Sequence, residues 1–377
     1  MLCPQPMTIS SAGNTHLNHA SCQSRKQASQ VLPMVDVGPL FHTRTTSQER
    51  RRVADQLAQA ASEVGFLYIV GHPVKPMTIG NVYAEAARFF ALSERTKLDY
   101  YIGSSPNHRG YVPVSEKGDY ADEKERHYEA FDIGLELPPD DPDYTAHDKL
   151  MGPNQWPVLA GFREAVYDYY EQVSALAQTL LRAFEVHLML PSGYFAQFMR
   201  KPIAQMRLLH YLESRQTAPQ ATVQDRTNDM NMGAHTDYEC LTILHQTAPG
   251  LQVLNCDDEW VDVPVQEDAY VINIGDLMEL WTNGLFKATP HRVVNYGRER
   301  YSMPYFCAAD YDAVIEPLPS LRVAGRRPRY QSMVAGHHLH GQLLRDFPYL
   351  RRRFERGDLR LPFAVPSGNQ FERRLAA

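Results

Sequence analysis

The sequence predicts an α+β fold with a mainly β core. After Ile203 the chain breaks into short, β-rich apolar runs separated by turn chemistry, the texture of a sandwich or barrel. Before them stands one long amphipathic helix, a scaffold of the kind that backs a sheet.

The elements follow in order. Residues 1–32 are rich in Ser, Gln, Asn and His, without a basic region followed by an apolar one, and are expected to be a disordered tail, not a signal peptide. From Thr46 to Val64, the spacing of Val53, Leu57 and Ala60 predicts a helix, with Thr46 or Ser47 as its N-cap. "GFLYIVGHPV" (Gly65 to Val74) reads as a short strand between glycines, and "VYAEAARFFAL" (Val82 to Leu92) as a second helix. Gly161 to Leu190 is the long helix. Phe162, Val166, Tyr169, Val173, Leu176, Leu180, Phe184 and Leu188 fall at helical spacing, and Pro191 ends it.

The β-type runs are "AQMRLLHYL", "CLTILHQ", "LQVLN", "WVDVPV", "AYVINIG", "KATPHRVVNY" and "RYSMPYFCA". "APG", "NCDDE", "TNG" and "YGRE" punctuate them. A last helix is expected over His338 to Glu355. The chain therefore divides into the tail (1–32), an N-terminal helical and β region (33–200), a β core (201–310) and a C-terminal region with a covering helix (311–377).

Composition excludes several classes. At 44% hydrophobic and 22% charged, the chain is ordinary for a soluble globular protein. No apolar run approaches the ~20 residues of a membrane span. The formal net charge of -6 argues against nucleic acid as a partner. The five cysteines (Cys3, Cys22, Cys240, Cys256 and Cys307) are dispersed and lack a C-x-x-C pair. They support neither a disulfide framework nor a cysteine zinc site, which fits the cytoplasm.

The chemistry concentrates in "MGAHTDYECLTILHQ" (Met232 to Gln246). His235 and Asp237 are two apart, so on an extended segment both side chains share a face. His291, in "KATPHRVV", lies in another strand-like run. Two imidazoles and a carboxylate form the facial triad of a non-haem Fe(II) oxygenase, with positions left open for O2 and a chelating co-substrate. An H-x-D tripeptide alone is a weak signal. Arg300 and Ser302, two apart on the following run, sharpen it by placing a guanidinium fork and a hydroxyl together, suited to a carboxylate. His210 and His245 read as hydrogen-bonded core histidines, and "HHLH" (His337 to His340) as surface, because these positions do not share one helix face.

"GAHTDYECLTIL", "GLQV", "INIGDLMELWTNG", "KATPHRVV" and "RYSMPYF" together resemble the Fe(II)/2-oxoglutarate-dependent dioxygenase superfamily, in its isopenicillin N synthase-like group. "RGYVPVSEKGD", "EAFDIGLE" and "GPNQWP" extend the resemblance through the N-terminal half. It implies a double-stranded β-helix (jelly roll) with flanking helices. Fe(II) would be held by His235, Asp237 and His291. 2-Oxoglutarate would be held by Arg300 and Ser302, with Tyr211 of "MRLLHYLE" touching it. Leu209 and Leu212 depart from the Asn and Pro of many plant members, which alters the details of those contacts. The implied reaction converts 2-oxoglutarate and O2 to succinate and CO2 while a small-molecule substrate is hydroxylated, desaturated or cyclised.

For the substrate wall the sequence offers Arg109 and Tyr111 in "HRGYVPV", Phe131 in "EAFDIG", and Tyr238 and Phe306 beside the ligand runs. Arg109 suits a substrate carboxylate or, equally, a partner in the acidic stretch Asp119–Glu136. Within the family, an ethylene-forming enzyme that fragments 2-oxoglutarate and an Fe(II) oxidase that does without it stay open. Outside it stand a Zn²⁺ hydrolase using the same triad and a non-catalytic jelly-roll binding protein. No P-loop, G-x-G-x-x-G or G-x-S-x-G occurs.

Overall fold

A computed structural model describes residues 32–114, 127–145, 149–213, 230–322 and 324–375. Cys3, Cys22 and the expected tail, apart from Leu32, lie outside them.

Strand β1 (Met34–Asp36) leads to helix α1 (Ser47–Glu63). Thr46 caps α1 with a reciprocal box. Its hydroxyl accepts from the Glu49 amide at 3.2 Å, and the Glu49 carboxylate accepts from the Thr46 amide at 2.8 Å. Strand β2 (Phe66–Val70) follows Gly65, whose φ is 77°. An added Cβ there would lie 2.2 Å from the Lys287 carbonyl oxygen, so the position admits no side chain. Helix α2 (Pro76–Phe90) starts before the expected Val82, because Pro76 is pre-set for the first helical turn. Then come α3 (Glu94–Leu98), β3 (Gly110–Val112), β4 (Tyr128–Gly134) and α4 (Pro142–Thr145). The long helix α5 (Phe162–His187) packs on α1, α2 and the central sheet, through a stripe from Phe162 to Phe184.

The β core comprises β5 (Gln205–Tyr211), β6 (Met230–His235), β7 (Leu241–Gln246), β8 (Leu251–Leu254), β9 (Trp260–Asp262), β10 (Tyr270–Ile274), β11 (His291–Val294) and β12 (Arg300–Cys307), with helix α6 (Asp276–Trp281) between β10 and β11. A small ribbon, β13 (Val314–Ile315) with β14 (Met333–Val334), precedes α7 (Ala335–Asp346) and α8 (Pro348–Glu355). The single expected helix over His338–Glu355 is two. Pro348 cannot continue the amide ladder, and Phe347 is extended at φ -117°, ψ 109°.

Eight strands form the major sheet in the order β1-β2-β10-β7-β12-β5-β4-β3, and four form the minor sheet, β6-β11-β8-β9. All neighbours are antiparallel except β1 and β2. Alternation assigns the two faces of the major sheet. Met206, Leu208, Ile243, Met303 and Tyr305 join the helix-side core. Leu244 and Val271 instead meet Leu251 and Val253 of the minor sheet, with Phe66 and Tyr68 of β2 in the same cluster. The two sheets thus face each other as a jelly roll, and its interior holds the site.

The "HHLH" expectation is corrected by this packing. His338 and His340 are buried, because α7 is covered on more than one side. His337 stacks on Phe363 at 4.3 Å, and Gly341 abuts Pro366.

Candidate active site

His235 ends β6 and His291 begins β11, and the two are direct partners in the ladder. Their ring centroids lie 4.4 Å apart. Each imidazole turns Nδ1 to a main-chain carbonyl, His235 to Gly233 at 2.8 Å and His291 to Thr289 at 3.3 Å. With Nδ1–H donating there, the Nε2 lone pairs are free, and both Nε2 atoms face Asp237 Oδ1, at 3.7 and 3.4 Å.

Asp237 lies just beyond β6, and its other oxygen, Oδ2, accepts from Thr242 and from Asn273 Nδ2, the latter at 2.6 Å. The carboxylate is therefore oriented from behind and open in front. Ligand atoms of the three side chains lie within 4.8 Å of one another. Burial works against ionisation of Asp237, but the two histidines and the Thr242 hydroxyl outweigh it and hold the carboxyl well below its ordinary value. Burial lowers His235, while the Asp237 charge outweighs burial at His291 and raises it. The same pocket wall carries Glu239. Burial and the Asp237 charge push its carboxyl up to about 8, so it is mostly neutral at pH 7.

The loop bearing Asp237 is clamped to α6. Amides of Gly275, Asp276 and Leu277 donate to the carbonyls of Cys240, Asp237 and Glu239 at 3.0, 2.8 and 3.0 Å. Gly275 permits this approach, since a Cβ there would lie 2.3 Å from the Glu239 carbonyl oxygen. Asp276 in turn accepts from His338 Nε2 at 2.9 Å and Asn369 Nδ2 at 2.8 Å. The C-terminal region thus braces the Asp237 loop from behind.

On the major sheet, Arg300 and Ser302 share the interior face of β12, as their spacing predicts. Arg300 is 4% exposed. Its guanidinium donates to the Ala248 carbonyl (2.9 Å), Gln246 Oε1 (2.9 Å) and Ser302 Oγ (3.3 Å), and sits 4.6 Å over the Tyr211 ring. Every one of these partners is neutral. A buried cation so placed can pair with an anion.

The triad, Arg300, Ser302, Tyr211, Tyr238 and Phe306 all line one cavity of about 400 Å³. That is at the small end for small-molecule sites. Leu209, Leu244, Leu251 and Val293 supply apolar wall, and Leu343, Arg345, Asp346, Phe347 and Glu372 complete the rim from the C-terminal region. Tyr238 donates from its hydroxyl to Asp346 at 2.7 Å.

Arg109, Tyr111 and Phe131 are placed elsewhere, correcting the expectation that they wall the substrate. Tyr111 and Phe131 pair across β3 and β4 on the face turned to the helices. Tyr111 donates to Glu129 at 2.6 Å, and Phe131 packs on Phe89 at 4.7 Å. Arg109 is buried and donates to the carbonyls of Asn107, His108 and Leu150. His210 bonds Glu129 and Glu299, and His245 bonds Tyr83, as core histidines.

Sequence reasoning missed Gln205, Arg207, Thr242, Gln246 and Asn273. Period-2 counting back from Tyr211 would have found Gln205 and Arg207. Nothing local marks Asp346 or Phe347, which reach the rim only because the last helix breaks.

Comparison with known proteins bears on this arrangement. Residues 203–309 match the profile of the 2OG-Fe(II) oxygenase superfamily, and residues 32–158 that of the non-haem dioxygenase in morphine synthesis N-terminal region. A 2-oxoglutarate-Fe(II) type oxidoreductase of Emericella nidulans (hxnY) is 34% identical over 309 residues, 79% of this chain and 85% of the relative. A homoarginine-6-hydroxylase of Glycine max is 31% identical over 335 residues, 84% of this chain and 97% of the relative. Among solved structures, a full-length Neurospora crassa protein in complex with alpha-KG and thymine superposes with a TM-score of 0.73 at 26% identity, covering 85% of this chain and 98% of that one.

Proposed function

The chain belongs to the 2OG-Fe(II) oxygenase superfamily, and from that premise we propose which of its residues carry the reaction. It is an Fe(II)- and 2-oxoglutarate-dependent oxidoreductase. In our reading His235, Asp237 and His291 hold the iron, and Arg300 and Ser302, with Tyr211, hold the distal carboxylate of 2-oxoglutarate. The observation that carries this is the pairing of the triad with a buried guanidinium whose partners among the described residues are all neutral. The donor set fits a non-haem ferrous centre, with two imidazoles and one carboxylate on one side.

When bound, iron and co-substrate activate O2 and couple oxidation of the substrate to release of succinate and CO2. The chain's own part is to bind, orient and exclude water. Thr242 and Asn273 fix the rotation of the Asp237 carboxylate. Gly233 and Thr289 carbonyls fix the imidazole tautomers. The aliphatic wall from Leu209 to Val293 keeps the space between the sheets dry. Tyr238 and Phe306 remain our choice for substrate contacts, because both line the cavity.

A small molecule, and not nucleic acid, is the proposed substrate. The cavity volume and the net charge of -6 support this, as does the thymine bound by the Neurospora relative. Among the described residues no helix is long and apolar enough to cross a membrane. We place the enzyme in the cytoplasm on its cysteine usage, Cys240 and Cys307 being buried free thiols.

The test is anaerobic addition of Fe(II) and then 2-oxoglutarate to the full chain. The visible metal-to-ligand charge-transfer band of the chelate is expected, and it should vanish in His235→Ala and Asp237→Ala. Iron binding without the band would overturn the co-substrate assignment and favour an oxidase that does without it.

A further inference from the structure

One row of residues crosses the interior face of the major sheet at the level of the metal ligands. Asn273 pairs with Thr242, Thr242 with Phe306, Phe306 with Gln205, and Gln205 with Gly134. The first two hold Asp237 Oδ2. Phe306 and Gln205 continue the row away from the ligands, and both line the cavity.

Gln205 is 5% exposed, and its Nε2 has no hydrogen-bond partner. A buried amide donor left unpaired costs stability, so its retention calls for an explanation. Its flanking interior neighbour on β5, Arg207, is already matched, donating twice to Asp132 at 2.7 Å. The terminal torsion of a glutamine is soft, so rotation about it can turn the buried Nε2 donor toward the cavity that Gln205 lines.

We propose that Gln205 is a specificity-determining residue, donating from Nε2 to a carbonyl-type acceptor on a small planar substrate that lies against the Phe306 ring. The dimensions agree. Thr242 and Gln205 are two strand spacings apart, roughly 10 Å, with Phe306 between them. A single-ring molecule touching Gln205 at one edge spans most of the distance to the Asp237 side. The co-substrate end of β12 is well clear, since Arg300 and Phe306 are six positions apart, about 20 Å along the strand. The substrate class is therefore planar amides, lactams and heteroaromatic carbonyl compounds. This inference rests on the oxygenase reading of the site.

The test uses the full chain loaded with Zn(II) and 2-oxoglutarate, with ligand-observed NMR of three probes: 2-pyridone, benzamide and carbonyl-free toluene. The two carbonyl probes are expected to bind more tightly than toluene. Gln205→Leu should weaken them about tenfold or more while leaving toluene unchanged. Gln205→Met, similar in length but without the donor, should weaken them likewise. Retention of the Fe(II)–2-oxoglutarate band in both variants shows that the site is folded. Wild-type affinity for the carbonyl probes in Gln205→Leu overturns the proposal. So does failure of both probes to bind the wild type when the band forms. Absence of the band from the wild type overturns instead the site assignment beneath it.

Discussion

Asn273 donates from Nδ2 to Oδ2 of Asp237 at 2.6 Å, while Oδ1 of the same carboxylate faces the two imidazoles. Asn273 lies on β10 and is 2% exposed, so its position is set by the sheet and not by solvent. The bond fixes which oxygen is offered to a metal.

Asn273→Ala should therefore weaken Fe(II) binding about 10- to 100-fold without removing any ligand. Anaerobic iron titration measures this. Affinity equal to wild type would mean that Thr242 alone orients the carboxylate.

Arg300→Ala should weaken 2-oxoglutarate by about 2–4 kcal/mol, because two charge-assisted contacts disappear together. Arg300→Lys should recover only part of the loss, since an ammonium lacks the planar fork. Titration of the charge-transfer band reads both, and an unchanged apparent affinity in Arg300→Ala would sink the assignment.

Gly275→Ala tests the clamp between α6 and the ligand loop. Its Cβ would lie 2.3 Å from the Glu239 carbonyl oxygen and 3.1 Å from that of Asp237, both main-chain atoms. Overpacking of this kind costs about 1–3 kcal/mol. Lower Tm and weaker iron binding are expected together. Loss of stability with full iron affinity would show that the loop can yield without moving the triad.

His340 provides a pH dependence. Burial, then the charges of Arg353 and His337, push its imidazole down to about 4 from an ordinary 6.5. Between those values the unfolded chain binds the proton and the folded chain does not, so stability falls as pH drops from about 6.5 to about 4. The full effect is on the order of 3 kcal/mol. His245, lowered to about 4 chiefly by burial, acts with the same sign. His340→Gln should flatten the slope of Tm against pH in this window. An unchanged slope would remove His340 from the account.

Much of the site was legible locally. His235 and Asp237 stand two positions apart, as do Arg300 and Ser302, and that spacing alone puts each pair on one side of an extended chain. Apolar runs between turn residues marked β5, β7, β8, β10 and β12. Tyr111 and Phe131 were offered only by their place in the chain, which does not say which face of a strand meets the cavity. Ring pairing with Phe89 and Phe162 settles them on the helix side.

The sequence by itself determined the chemistry of this protein. The donor atoms, their alternation along strands and the helix-capping and breaking residues are properties of short segments, and physical chemistry acts on them locally. Only the tertiary structure decided which oxygen of Asp237 faces the imidazoles, that Arg300 is left with neutral partners, and that Gln205 shares a row with Thr242 and Asn273. Those facts depend on strand register between segments far apart in the chain. Register is chosen by burying whole faces at once, through summed contacts that no single segment contains.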